Sequence, residues 1–457
     1  MKKLILCSLF VFLFSSVSFG ANDIYVGDHG THAGYNSGGS ADGSDWNNTY
    51  DQLSTAETNA SRGDFIYVGD GSYGGVTFNT AVSGKTYITV LKATESVHGT
   101  DTGWSTSYGD GQGTFTGALG VRSSYWIIDG ARGTFPSKTP SDYGFVVART
   151  NKTLNAYNVD QVITHIRFSH FYGLAPAGDI EKFFFATDNS NEGVHYLTIS
   201  NCFGDGWSNF QWGTAGYEAT DNKNDYWLTE HNVIINGYSS AAQHGEDLNN
   251  NYGDNRYWQI RYNWFEHRGS GTATITVLND NAGPYYIYGN VFYDQTGGDG
   301  IIAGVHYRLT GYIYNNTFID NYSSAPLLGS DTGVSGDFKN NLSYLQSGNF
   351  SGGSNPTVAQ NAWFSCTNIP SGTDNYITSG NPFINYTNDD FSITEGVASS
   401  MTNGTTLTNV TLGEYTTTYN VDAFGNIRGA DGVWDRGAIE YGVVAVPANA
   451  IQGVTIN

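Results

Sequence analysis

Three things are scarce in this 457-residue chain: cysteine, basic charge and long apolar runs. Of the three cysteines, Cys7 falls in the N-terminal leader and has no lipobox around it. Cys202 and Cys366 remain, several repeats apart, with a rise of ~4.8 Å per repeat between them. A disulfide needs Cα atoms within about 7 Å, so two free, buried thiols are expected. Basic residues number 20 against 42 acidic ones, and Lys2 and Lys3 belong to the leader. An acidic surface of this kind repels nucleic acid and anionic membranes. It also repels a polyanionic substrate unless a metal ion or a local basic patch neutralises it. The one long apolar run, Leu4 to Phe14, is too short for a membrane anchor. Preceded by two lysines and followed by Ser18 and Gly20, it reads as a secretory signal cleaved before Ala21. The expected product is exported: secreted, periplasmic or on the cell surface. No Cys/His spacing points to zinc, and there is no serine-nucleophile elbow or phosphate loop.

What is abundant is Gly (59), Tyr (32) and a recurring asparagine. Charged residues are only 14%, while hydrophobic ones reach 39%, which suits an all-β exported fold and argues against disorder. Asn201, Asn232, Asn263, Asn290, Asn316 and Asn341 recur in similar surroundings at steps of 31, 31, 27, 26 and 25 residues. Repeats of that length, each with short strands and a turn, mean a stacked solenoid. Alternation before each asparagine places Trp258, Ile260 and Ile287 inward, and Gln259, Arg261, Tyr286 and Tyr288 outward. A second strand is expected after each asparagine, over residues 183–187, 209–213, 242–248, 272–278 and 300–305. The fold class predicted is all-β: a single-stranded right-handed parallel β-helix of about ten or more coils with an N-terminal cap. The asparagines read as a structural corner ladder, because Asn tolerates the left-handed backbone of a sharp corner and stacked amides hydrogen-bond to one another. His170 occupies an earlier corner slot.

The boundaries read from the chain are a signal over 1–20, a cap and entry coils over 21–120, regular coils over 121–345, irregular C-terminal coils over 346–442 and a tail over 443–457. Residues 52–61 form the expected capping helix. Arg428 and Asp435 are expected to form a structural ion pair.

The sharpest chemical candidate is Gln243-His-Gly-Glu-Asp-Leu248. Aligning Asp247-Leu-Asn-Asn250 with Val277-Leu-Asn-Asp280 points His244 and Glu246 outward, level with Thr274 and Thr276, and Asp247 inward. A one-residue slip would reverse these directions. His244 and Glu246 then stand as a general acid/base pair, with His267 and Arg268 flanking them one coil on. Lys182, His306, Arg308, Trp207, Trp212, Tyr217 and Tyr252 are the candidate substrate-binding residues, since flat rings stack on sugars. The segment Asp247 to Gly253 begins like an EF-hand loop, but Tyr252 stands where Gly is needed and Trp258 where the closing Glu belongs. Glu246, Asp247, Asn249, Asn251 and Asp254 remain candidate calcium ligands in an irregular loop.

Asp23-Ile-Tyr-Val26, Arg62 to Tyr73, Asn381-Pro-Phe-Ile-Asn385, Asp422 to Arg428 and Trp434 to Tyr441 resemble the entry and closing coils of bacterial right-handed β-helix proteins. The chain thus resembles the pectate-lyase-like superfamily, and residues 244–320 are loosely similar in layout to alginate-lyase and chondroitinase-B-like lyases. That resemblance implies a calcium-binding acid at Glu246 and a catalytic lysine and arginine beyond it. Here no lysine follows the acidic strand, and Val277-Leu278 fill the place of the arginine. The paired aspartates and Gly-His-Gly of polygalacturonases are absent too. The expectation is therefore a monomer binding an extracellular polysaccharide, with β-elimination of a uronate polymer ahead of glycoside hydrolysis. The rival reading is a non-catalytic surface, adhesion or matrix protein.

Overall fold

The computed structural model describes residues 21–147, 154–158, 160–175, 182–186, 193–214, 224–237, 245–251, 256–268, 273–278, 283–295, 300–304, 309–321, 327–329, 334–350, 356–395, 397 and 404–441. The signal segment and the tail lie outside them.

Among the described residues, three parallel sheets run the length of the molecule, with twelve, twelve and nine strands. We call them sheets A, B and C. One coil contributes a strand to each: Trp258–Arg261 to A, Trp264–Arg268 to B and Ala273–Leu278 to C. Each strand pairs with its counterparts one coil before and one coil after, which defines a parallel β-helix. Its crossovers take the right-handed sense that parallel connections follow. The sequence located sheets A and C. The short strands of sheet B, such as Val233–Ile235 and Thr317–Ile319, are three residues long and carry too little alternation to read.

The core is a set of vertical columns. In sheet A, Ile128, Phe168, Ile199, Thr229, Ile260, Ile287, Ile313 and Phe338 are successive register partners, and all are buried. In sheet B, Phe265, Phe292 and Phe318 stack at 4.9 and 5.0 Å, close to the spacing between strands. Burying such side chains stabilises by about 1.5–3 kcal/mol each, so repetition rather than any single contact carries the fold. A helix, α1 (Leu53–Asn59), buries Leu53 and Ala56 against the first coils.

The asparagine ladder is present, but one position departs from the sequence reading. Asn263 Nδ2 donates to the Thr229 carbonyl at 2.8 Å and to Asn290 Oδ1 at 3.0 Å, while Asn263 Oδ1 accepts from the Asn232 backbone and side chain. The pattern repeats through Asn290, Asn316 and Asn341, and continues to Asn361 and Asn375. Asn201 is not a rung. Cys202 takes that place, donating its backbone N–H to Asn232 Oδ1. Asn201 instead adopts the left-handed backbone (φ 54°), as do His170, His231, Tyr262, Gly289, Asn315 and Asn340. The left-handed residue thus precedes the ladder residue. The buried amide is selected for its hydrogen bonds, not for tolerance of the corner.

Beyond Tyr376–Thr378 the chain leaves the stack. The sequence placed this region in irregular closing coils; residues 383–395 and 404–441 lie as a strap on the outer A–B corner. Phe391 stacks on Trp264, Tyr419 meets Tyr288 and Tyr415 meets Tyr196 edge-to-face, and Glu414 reaches His165 at 2.9 Å. Arg261 spans solenoid and strap, pairing with Glu230 at 2.7 Å and donating to Thr418 Oγ1 at 3.0 Å. Tyr286 and Tyr288 point outward as expected, yet both are buried. The strap is fastened at its far end by Arg428, which pairs with Glu440 at 3.4 Å. Asp435, the partner expected from sequence, receives Arg428 only through its backbone carbonyl.

Candidate functional site

The outer face of sheet C was the expected site, and its register differs from the expectation. Leu248 pairs with Ile275 and Asn250 with Val277, three residues away from the predicted alignment. Leu248–Asn251 is the strand, and residues 245–247 of the expected 242–248 lie before it. Glu246 precedes the strand and is fully buried, accepting a hydrogen bond at 2.8 Å from Nδ2 of Asn249, whose register partners are Trp212 and Thr276. Asp247, also just ahead of the strand, is buried as well. Asn250 points inward and donates to the Tyr285 hydroxyl.

The other predicted residues divide sharply. Trp207 belongs to the interior: it stacks on Phe183 at 5.0 Å and donates to the Gly173 carbonyl, so it is no sugar platform. Trp212 lies in the outer row with Phe185, Asn249, Thr276 and Ala303, and Lys182 Nζ sits 3.6 Å above its ring. That row is nonetheless buried, Trp212 at 8% exposure and Asn249 and Thr276 at 0%. The structure thus gives sheet C no open cleft at these residues. His267 and Arg268 end a sheet B strand, with Arg268 level with Gln295, and Asn251 is level with Leu278. His244, Tyr217, Tyr252, Asp254, His306 and Arg308 lie outside the described residues. Among the described residues no three His, Cys, Asp or Glu side chains group as a metal site; Asp254 of the calcium set lies outside those residues. Cys202 is buried and Cys366 half-buried, and both are free.

The chemistry gathers elsewhere, on the outer face of sheet A. Asp129 ends the strand Trp126–Asp129, and its register partner is Ser169 of the next coil. His170 follows Ser169 in the left-handed corner slot, which turns its ring back over Asp129. His170 Nδ1 lies 2.6 Å from Asp129 Oδ1, and the Ala131 backbone N–H donates to the same oxygen at 2.7 Å. The carboxylate therefore fixes the imidazole with Nδ1 protonated and Nε2 as the acceptor. Gly130 permits the close approach, since a Cβ there would stand 2.2 Å from the His170 carbonyl oxygen.

Arg167 completes the group. It is level with Ile127, two residues before Asp129 on the same outer face. Among the described residues it forms no hydrogen bond or ion pair, although its Nε is buried. Burial tends to raise the Asp129 carboxyl. His170, the Ala131 N–H and Arg167 outweigh it and hold that group below the usual carboxylate value. Burial likewise opposes ionisation of Glu230, but Arg261, His231 and Arg167 keep it low. His231, half-buried two coils beyond His170, is held below the ordinary imidazole value by its desolvation. The strap borders the group, since Thr198, the register partner of Arg167, meets the Tyr415 hydroxyl at 2.9 Å. Asp129 and His170 are each 19% exposed at the side chain, so solvent reaches them.

From the sequence, His170 reads only as a corner residue. The signal available was chemical: an ionisable residue at His170 in a slot that most other coils fill with Asn, Gly or Tyr.

No family model and no curated protein matches the chain. Among solved structures, the chain is similar to pectate lyase Pel9A, with 13% identity over 92% of this chain and 97% of that one, at a TM-score of 0.43. It is also similar to a mannuronic acid specific polysaccharide family 6 lyase from human gut microbiota, with 11% identity over 80% and 93% and a TM-score of 0.35. A third is XylC in complex with xylose, with 10% identity over 91% and 98% and a TM-score of 0.38. No residue role is carried across at these distances.

Proposed function

We propose that this chain is an exported β-helix protein that binds an acidic extracellular polysaccharide and cleaves it by β-elimination. The observation that carries the reading is the His170–Asp129 pair beside Arg167, whose buried Nε lacks an acceptor. A uronate carboxylate is the group that would satisfy such a guanidinium, and its charge would be neutralised there. His170 Nε2 takes the proton on the carbon next to that carboxylate. The bond to the glycosidic oxygen breaks as the carbon–carbon double bond forms, and the leaving oxygen takes a proton from solvent. Asp129 positions the ring and stabilises the imidazolium. Arg167 also answers the charge problem set by the sequence, since it offers one local cation on an acidic surface.

Glycoside hydrolysis fits less well. It needs two carboxyl groups facing across a cleft at roughly 5–9.5 Å. Glu266 and Asp389 do come together, but Lys138 bridges them.

The test is a panel of uronate polysaccharides, with and without calcium, followed at the ultraviolet absorbance of unsaturated products. We expect product from at least one polymer, a fall of about 10²–10⁴ in kcat for His170→Ala, and a raised KM for Arg167→Ala. Absence of product from every polymer, with the protein folded, would leave the non-catalytic surface or matrix reading in its place.

A further inference from the structure

On the outside of sheet B, the segment 131–142 and the strap enclose a cavity of about 360 Å³. At its floor, Lys138 Nζ donates to Asp389 at 2.7 Å and to Glu266, and lies 4.8 Å from the centre of the Trp264 ring. The charge of this ammonium is taken up by two carboxylates. It is a fixed post, not a trap for anions. Trp264 is itself closed off, with Phe391 stacked 4.8 Å away and its Nε1 donating to Glu266 at 2.5 Å. The surfaces left for a ligand are the half-buried faces of Pro136, Phe424 and Ile439, opposite a polar rim of Asp389, Asp390 and Ser392.

Each part of this lining selects against some ligands. Two rim aspartates, with the only lining cation already shared with Glu266, disfavour a uronate or a phosphate. The flat apolar wall disfavours a bare metal ion. The volume, at the low end for ligand cavities, disfavours a long chain segment. An apolar ring face opposite carboxylate acceptors matches a sugar ring, whose C–H face packs on Phe424 while its hydroxyls donate to the aspartates. We infer that this cavity is a second carbohydrate site, for a neutral mono- or disaccharide. Its charge preference is opposite to that of the Arg167 site, so it stands whether or not the chain is a lyase.

The experiment uses the full mature chain and calorimetric or saturation-transfer NMR titrations. The probes are methyl glucoside, methyl galactoside, methyl mannoside, N-acetylglucosamine, lactose and cellobiose, against glucuronate and glucosamine. At least one neutral sugar should bind with a millimolar Kd, and glucuronate at least about tenfold more weakly. Phe424→Ala should weaken that binding about tenfold or more. Should that variant fail to fold, Ser392→Trp, on the exposed rim, should block the mouth to the same extent. No binding of any neutral sugar at about 50 mM would overturn the assignment. So would glucuronate or glucosamine binding as tightly as the best neutral sugar, or undiminished binding in folded Phe424→Ala and Ser392→Trp proteins.

Discussion

Sheets A and C are built from the same coils, yet their outer faces differ in kind. Along sheet C the outer row runs Phe185, Trp212, Asn249, Thr276 and Ala303, neutral and buried. Along sheet A, the outer face and its corner carry Asp129, Arg167, His170, Glu230, His231 and Arg261, all but Arg167 held by hydrogen bonds or ion pairs. One face is satisfied by packing and the other by charge. A solenoid repeats its interior because every coil must close the same core. Its exterior is under no such constraint, so one face can become inert while another collects ionisable groups.

The largest expected effect separates the two faces by activity. Asp129→Asn removes the charge that orients His170 and should lower kcat by about 10²–10³, with KM little changed. Trp212→Ala, on sheet C, should leave kcat within about threefold. Equal losses from the two variants in a steady-state assay would erase the distinction.

Next comes a change that should ignore the distinction. Asn263→Ala strips the acceptor from the Asn232 backbone and side chain and removes donors to Thr229 and Asn290, all of them buried. Chemical denaturation should show a loss of about 3 kcal/mol or more. A loss under about 1 kcal/mol would mean that the ladder is ornamental.

A pH series sharpens the comparison from the strap side. Burial pushes Asp435 up to about 6 and Glu440 up to about 7, both above their unfolded values. The folded chain therefore holds more protons than the unfolded chain between those limits. The stability this contributes is complete below about pH 4 and is lost as pH rises through 6 to 7. From pH 5 to pH 8 the strap should loosen by roughly 1–3 kcal/mol, read as faster proteolysis of residues 404–441. Protection that grows over that range would contradict the assignment.

The smallest effect returns to sheet C. Lys182→Met removes the ammonium from the Trp212 ring and should cost about 1 kcal/mol or less in thermal unfolding, with activity retained. A large loss of activity would restore sheet C as the site.

Much of the fold was legible because the rules behind it are local. Alternation at Trp258, Ile260 and Ile287 marks an inward column without knowledge of any other coil. The ladder was legible from Asn232 onward, since residue type and spacing coincide there. It failed at Asn201 because two neighbouring slots, the left-handed corner and the rung, both accept asparagine, and spacing alone cannot tell them apart. The register of Glu246 failed for a related reason. The stretch between Ile235 and Leu248 has no fixed length from coil to coil, so matching Asp247 to Val277 by similarity moved it three places.

The sequence by itself determined the coil. Hydrophobic alternation, recurrent asparagine and scarce charge leave few ways to bury the chain other than stacking it, because each short strand can pair only with its copy above and below. Only the tertiary structure decided which side groups meet. His170 and Asp129 are 41 residues apart, and Lys138 and Asp389 are 251 apart. Such contacts depend on coil length, corner conformation and the path of the strap, and those are set by how the coils close on one another, a long-range property that no local pattern encodes.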